Sequence, residues 1–229
     1  MWMDSWVLAR PVDLWSQLRA TNGALYPYLL RVFETQRNCV VLARSNQASS
    51  EVNLQACQER GVPVLRRRGG GGTVVLGPGC QIVTLAFFAR SLFDNARYFE
   101  QINAAWIRSL VASLGGGAPQ IHQRGISDLA IGDRKIAGTS LFRRKHLVVF
   151  QGSLLVDPDM SLIGELLRHP SREPDYRQGR SHHDFVTSLR AQGVNTPTQD
   201  LCDRVRRHMP EHLADALATD LRAADSTPL

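Results

Sequence analysis

Ser127-Asp128-Leu129-Ala130-Ile131-Gly132-Asp133-Arg134-Lys135-Ile136-Ala137-Gly138, continuing to Gln151-Gly152-Ser153-Leu154-Leu155, is the stretch whose reading decides the fold. It holds three apolar runs, 128–131, 135–142 and 147–156, separated by two short polar turns. Gly132-Asp133 suits the first turn, and the second falls at Arg143–His146, so the three runs predict an antiparallel meander. Elsewhere strands come in antiparallel runs with helices between them. The expected class is therefore α+β, with a mixed, largely antiparallel sheet flanked by helices, and not a doubly wound parallel sheet.

Working outward, residues 11–21 predict a short helix with Leu14, Trp15 and Leu18 on one face. Tyr28–Phe33 and Cys39–Ala43 read as two strands joined as a hairpin across Glu34–Asn38. Ser49 or Ser50 can cap a helix to about Arg60, ended by Gly61. Val62–Leu65, Thr73–Leu76 and Ile82–Phe88 are further strands, the last two flanking a Gly77-Pro78-Gly79 turn. Asp94–Leu114 is the longest helix and stops at three glycines. Ser161–Leu167 is a short helix, 170–180 a polar loop, and 197–222 a helical segment that Pro210 should split in two.

Composition sets limits. The chain has 229 residues, 43% hydrophobic and 21% charged, which suits a soluble domain with a real core. No apolar run approaches the roughly 20 residues of a membrane helix. Met1-Trp2-Met3-Asp4-Ser5-Trp6 lacks the basic start and apolar block of a signal peptide, so a cytoplasmic protein is expected. Cys39, Cys57, Cys80 and Cys202 form no CxxC pair, so neither a cysteine-built structural metal site nor a disulfide framework is expected. The net charge is +6, and the only lysines are Lys135 and Lys145. Arginine clusters at 66–68, 143–144 and 204–207 are compatible with an acidic protein partner, nucleic acid or a solvated surface.

Chemistry concentrates in two places. Arg66-Arg67-Arg68-Gly69-Gly70-Gly71-Gly72 can approach a ligand closely and turn successive N–H groups toward an anion. It is neither a P-loop, lacking Gly-Lys-Ser/Thr, nor a dinucleotide turn, because a strand follows it. Lys135 sits in a short apolar strand, with Gly138 nearby allowing close approach, and a fixed ammonium there suits a carboxylate or phosphate oxygen. Asp128 can orient Lys135 or hold Mg²⁺ beside a nucleotide phosphate; it can also merely end a strand. His208-Met209-Pro210-Glu211-His212 matches an HxxEH spacing, but the proline should break the helix such a metal site needs.

Taken in order, Glu51-Val52-Asn53, Val64-Leu65-Arg66-Arg67, Gly70-Gly71-Gly72-Thr73-Val74, Gly77-Pro78-Gly79, Ser127-Asp128-Leu129, Arg134-Lys135-Ile136-Ala137-Gly138 and Gly152-Ser153-Leu154-Leu155 resemble the lipoate–protein ligase A family. The likeness spans roughly 10–190, and Pro174-Asp175-Tyr176-Arg177 with Arg180-Ser181-His182 resembles a subgroup. It implies the biotin/lipoate protein ligase catalytic-domain type of fold over 1–195, with 196–229 a C-terminal helical extension and no full accessory domain. It further implies ATP-dependent activation of lipoate or octanoate and transfer of the acyl group to a lysine of a lipoyl-domain protein. ATP and Mg²⁺ are then required. The expected partners are an acidic lipoyl-domain acceptor and a separate accessory-domain protein, with no membrane and no nucleic acid.

On this resemblance Lys135 contacts the activated carbonyl and phosphate oxygens. Arg67, Gly70, Gly71, Gly72, Thr73, Gly138, Thr139 and Ser140 form the substrate-binding wall, and Asp128 the nucleotide or Mg²⁺ site. Departures are specific: Gln151 replaces a family histidine, Cys80 an asparagine after the Gly-Pro-Gly turn, and Ser127 an asparagine before Asp128. Octanoyltransferases of this fold carry a nucleophilic cysteine near Ser127 or near Val186; Gln123–Ile126 and His182–Phe185 hold none. A ligase is thus the leading expectation. An octanoyltransferase drawing on acyl carrier protein through Cys80 is the alternative, and a noncatalytic acyl- or nucleic-acid-binding relative the third reading.

Overall fold

The computed structural model describes residues 28–92 and 94–219; the expected helix at 11–21 lies outside them. Among the described residues nine strands form two sheets. They are β1 (Tyr28–Glu34), β2 (Cys39–Leu42), β3 (Val64–Arg66), β4 (Val74–Leu76), β5 (Cys80–Phe88), β6 (Ile121–Arg124), β7 (Asp128–Ile131), β8 (Arg134–Arg144) and β9 (Leu147–Leu155). The large sheet runs β1-β5-β9-β8-β7-β6 and is antiparallel throughout. The small sheet runs β3-β2-β4, with β2 parallel to β3 and antiparallel to β4. The expected meander is β7-β8-β9, and the mixed, largely antiparallel arrangement is as the alternation predicts.

Helices α1 (Ala48–Glu51), α2 (Leu54–Glu59), α3 (Asn95–Leu114), α4 (Ser161–Leu166), α5 (His182–Phe185) and α6 (Thr198–Leu217) cover the sheets. α3 buries Tyr98, Ile102, Ala105, Trp106 and Leu110, a stripe at helical spacing. α6 buries Leu201, Val205, Met209, Leu213 and Leu217 in the same way. Both stripes join Val83, Leu85, Phe87, Val148 and Phe150 of the large sheet in one core. A second core gathers Val40 and Leu42 with Val52, Ala56, Leu162, Leu166 and Phe185 beneath the short helices. Burying a Leu- or Phe-sized side chain contributes about 1.5–3 kcal/mol, so these stripes hold the helices down despite modest intrinsic propensity.

Three local expectations are corrected. β1 and β2 do not form a hairpin. All four residues of β2 are buried, which suits the centre of the small sheet, whereas β1 is an edge strand paired with β5. The 34–38 turn is tied instead to the 77–79 turn, where the Gly79 N–H donates to Glu34 Oε1 at 2.8 Å and the Thr35 hydroxyl donates to the Gly77 carbonyl.

The helix expected from Ser49 to Arg60 is two helices. Val52 is extended and bridges to Leu167, and the Asn53 side chain starts the second helix by accepting from the Ala56 N–H at 3.3 Å. Here a strand-like contact and a better cap override continuous helix formation.

Pro210 does not split α6. The buried stripe runs straight through it, and tertiary packing outweighs the one hydrogen bond a proline removes. The Tyr28 hydroxyl donates to the Pro210 carbonyl at 3.2 Å. His208 and His212 therefore share an unbroken helix, contrary to the expected break. Among the described residues no group of three or more His, Cys, Asp or Glu side chains is assembled for a metal. No helix among them is long and apolar enough to cross a membrane.

Candidate functional site

The site lies where the two sheets face one another. Lys135 is the second residue of β8, just after the Gly132-Asp133 turn. Its backbone is held on both sides: by β7, across an irregularity at Leu129/Ala130, and by a parallel bridge to Val186. The Thr187 N–H donates to the Lys135 carbonyl at 2.8 Å. A lysine with its main chain fixed this way loses little further freedom when its head group engages a ligand.

Lys135 Nζ pairs with Asp128 Oδ1 at 2.7 Å, with the lysine side chain one quarter exposed and the aspartate 9% exposed. The Tyr176 hydroxyl donates to the other oxygen, Asp128 Oδ2, at 2.8 Å. Burial, then the Asp128 charge and its hydrogen bond, push the Tyr176 phenol well above its ordinary range, so it remains a donor. The Arg124 guanidinium sits 4.8 Å over the Tyr176 ring, and the ring packs against Phe185 with centroids 5.1 Å apart.

Gly138 makes room for the ammonium. A Cβ there would lie 3.1 Å from Lys135 Nζ and 3.2 Å from Cε, so a larger residue makes the lysine tip give by a few tenths of an ångström. Thr139 is fastened behind it, with its N–H and hydroxyl both reaching the Ser127 carbonyl, at 2.7 and 2.8 Å.

The glycine run faces this lysine from between β3 and β4. Arg67 is 8% exposed and turns its head group back under the loop. Its Nη2 donates to the Gly70 and Gly72 carbonyls, both at 2.7 Å, and Nη1 donates to Val41 O at 3.3 Å. Desolvation lowers the Arg67 pKa to about 10, leaving it charged at neutral pH. With those carbonyls drawn toward Arg67, the loop is fixed in shape. Gly71 takes φ +93°, a conformation that favours glycine.

A cleft of about 910 Å³ opens between the loop and the lysine, and a smaller recess of about 90 Å³ adjoins it. Gly72, Thr73, Asp128, Lys135 and Gly138 line both. Gly71 lines the outer cleft, while Arg67, Thr139 and Ser140 line the recess. Val41, Leu76 and Ile82 give the recess apolar walls, and Gln151 is part of it. The arrangement offers a cation at the junction of a polar cleft and an apolar pocket, suited to a molecule with an anionic head and a hydrocarbon tail.

Two expected site residues stand apart. Gly70 lines neither space; its carbonyl serves as an acceptor for Arg67. Cys80 lines neither; it faces a separate small gap with Asn38, Pro78 and Leu155. Its thiol is buried, and burial pushes its pKa up to about 11, so little thiolate forms at neutral pH.

Other participants had no assigned role in the sequence reading. Glu51 is buried; its Oε1 accepts from the Ser171 hydroxyl at 2.5 Å, and Oε2 from the Thr73 hydroxyl at 3.3 Å. It thus ties the end of the glycine loop to the 170–180 segment across the cleft. His182 lines the cleft, and burial, then Arg177, His169 and Lys135, lower its pKa to about 4. Tyr176 completes the Lys135–Asp128 arrangement. Glu51 and Tyr176 lie within motifs that carry the family resemblance, but no periodicity marks a residue whose partners are 22 to 120 positions away.

The family model of the lipoyl protein ligase A/B catalytic domain matches residues 15–210. Among solved structures, the chain is similar to one described as a bipartite lipoate protein ligase and its E2 lipoyl domain from Thermoplasma acidophilum. There the TM-score is 0.67 at 21% identity, over 94% of this chain and 83% of that one. It is also similar to a lipoate–protein ligase A bound with ATP, at TM-score 0.66 and 20% identity, over 94% and 85%. A T. acidophilum protein solved with bound lipoic acid matches at 0.65 and 19%, over 92% and 83%. At such identities the likeness to these structures is one of fold.

Proposed function

The chain belongs to the lipoyl protein ligase A/B catalytic-domain family, and from that premise we propose that it is an ATP-dependent lipoate–protein ligase that activates lipoate or octanoate and passes the acyl group to a lysine of a lipoyl-domain protein. The observation that carries this reading is Lys135, held by Asp128 at the mouth of an apolar recess and facing a glycine loop. Relatives of the same fold with ATP, with lipoic acid and with an E2 lipoyl domain support the substrates and the acceptor. The bipartite relative also supports a separate accessory protein.

In this mechanism the hydrocarbon tail enters the recess beside Val41, Leu76 and Ile82. The carboxylate then lies near Lys135. One carboxylate oxygen attacks the α-phosphorus of ATP, forming a C–O–P bond as the P–O bond to pyrophosphate breaks. Lys135 offsets negative charge on the acyl and phosphate oxygens in the transition state, in a site where water is partly excluded. Asp128 and Tyr176 keep its ammonium aimed rather than free to swing. Backbone N–H groups of the glycine loop would meet phosphate oxygens. The neutral amine of the acceptor lysine next attacks the acyl carbonyl; the amide forms, the C–O bond to AMP breaks, and the amine's proton is lost.

Mg²⁺ accompanies ATP in such reactions. The described residues assemble no cluster of three or more ligating side chains, and Asp128 is the one carboxylate that lines both spaces. They fit an ion carried mainly by phosphate oxygens with one carboxylate, the mode Mg²⁺ favours. It would neutralise phosphate charge there.

The buried Cys80 thiol, outside the cleft, favours this route over a thioester enzyme. The test is intact mass of a lipoyl domain after incubation with the protein, ATP, Mg²⁺ and lipoate, against octanoyl carrier protein as donor. Acylation that needs ATP supports the ligase. Acylation from the carrier protein without ATP replaces it with the transferase.

A further inference from the structure

We infer that the arginine-lined cleft at the outer side of the glycine loop is a docking surface for an acidic protein, namely the acidic face of the acceptor domain. This rests on the proposed ligase reading for the identity of the partner, and on the structure for the surface itself.

The cleft, about 530 Å³, is walled by Arg44, Arg66, Arg67, Arg68, Arg143 and Arg144 with Phe142, and by no acidic side chain. The residues come from three places far apart in sequence: the end of β2, the entry to the glycine loop and the end of β8. Three of the guanidiniums are spent on the protein. Arg66 donates to the carbonyls of Ala43, Arg44 and Asn46, at 2.8, 3.1 and 2.7 Å. Arg143 donates to Lys145 O and Asn95 Oδ1, at 2.9 and 3.0 Å, and to Ser91 O. Arg67 holds the glycine loop. All of these acceptors are neutral, so the charge remains uncompensated.

Arg44, Arg68 and Arg144 are exposed, and among the described residues their guanidiniums have no hydrogen-bond or ion-pair partner. Several guanidiniums held together without a carboxylate repel one another and are relieved by a ligand of opposite sign.

Position decides the partner. Arg67 is in the wall of this cleft and also in that of the recess beside Lys135. A protein seated on the arginines thus lies one side chain from the reacting pocket. A nucleic acid fits less well. Binding through the backbone draws on several phosphate contacts along a track, and the other basic run, on α6, though exposed, has two of its three guanidiniums engaged with the protein. Arg204 donates to Ser113 O at 3.2 Å, and Arg206 to Val32 O and Asp203 Oδ1, both at 2.6 Å.

The experiment compares wild type with the triple variant Arg44→Ser/Arg68→Ser/Arg144→Ser. The probes are a purified acidic lipoyl domain, the same domain with its acidic residues changed to amides, and a labelled DNA oligonucleotide. Direct binding and acyl-transfer kinetics are read at low and high salt, with lipoate-dependent ATP–pyrophosphate exchange alongside. The expected result is a rise in Kd and KM for the acidic domain of about tenfold at low salt, with kcat and pyrophosphate exchange unchanged. The amide domain should bind wild type and variant alike. Unchanged Kd and KM in the variant would overturn the docking surface, as would loss of oligonucleotide binding with domain binding intact. Failure of wild type to exchange pyrophosphate would instead overturn the ligase reading, and the binding arm would still decide the surface.

Discussion

Lys135 Nζ and Asp128 Oδ1 lie 2.7 Å apart at the meeting of the outer cleft and the apolar recess, and the second Asp128 oxygen is taken by the Tyr176 hydroxyl. Asp128 and Lys135 stand on adjacent strands, and the tyrosine reaches them from a 3-10 turn 48 positions beyond Asp128. The pair is partly buried, so removing either member leaves the other without its counter-charge.

Lys135→Ala should lower acyl-adenylate formation by about 10²–10³-fold, the cost of deleting one fixed donor to developing negative charge. It should also cost stability, about 1–3 kcal/mol, because Asp128 loses its cation. The double variant Lys135→Met/Asp128→Asn should regain stability in denaturant titrations but not activity. Near-normal turnover in Lys135→Ala would make this lysine a bystander.

Gly138→Ala tests aim rather than charge. The added methyl would sit 3.1 Å from Lys135 Nζ and must push it aside. Because misplacement of about 1 Å can cost on the order of 10²-fold, a shift of a few tenths of an ångström should lower kcat by about two- to fivefold, with the fold intact by circular dichroism. An unaffected kcat would mean that the lysine's position is not critical.

Cys80→Ser should retain activity within a few-fold. The thiol is buried, its pKa is pushed up to about 11, and it lies outside the cleft. A hydroxylamine-sensitive acyl adduct on wild type that disappears in the variant together with activity would establish thioester chemistry instead.

His182 predicts an acid-sensitive fold. Burial and neighbouring cations lower its pKa from 6.5 to about 4, so between these values the unfolded chain binds a proton that the native state refuses. Its contribution is fully present above about pH 6.5 and is lost as pH falls toward about 4. His182→Gln should flatten the dependence of Tm on pH in that window. An identical slope in wild type and variant would show that other groups govern it.

The meander, the glycine loop and Lys135 were legible because each depends on neighbours in sequence: alternation, tight turns and a lone lysine among arginines. Local pattern suggests a β1–β2 hairpin, but strand partners are chosen by burial on both faces, which local pattern does not report. Pro210 reads as a breaker because propensity speaks for one residue, whereas the buried stripe of α6 speaks for the whole helix. Asp128 leaves three readings open in sequence; its contact with Lys135 supports the orienting role, beside the proposed magnesium role. Glu51 and Tyr176 gained their roles from hydrogen bonds across the cleft, and the inward turn of Arg67 from two carbonyls of its own loop.

The central claim is that this site joins a carboxylate to AMP. Lipoate-dependent exchange of labelled pyrophosphate into ATP reads that step alone, without an acceptor protein. Wild type, supplied with any accessory subunit the reaction requires, should exchange label only when lipoate or octanoate is present, and Lys135→Ala should lower the exchange by about 10²–10³-fold. Acylation of a lipoyl domain with no such exchange, proceeding from an acyl thioester without ATP, would contradict the account.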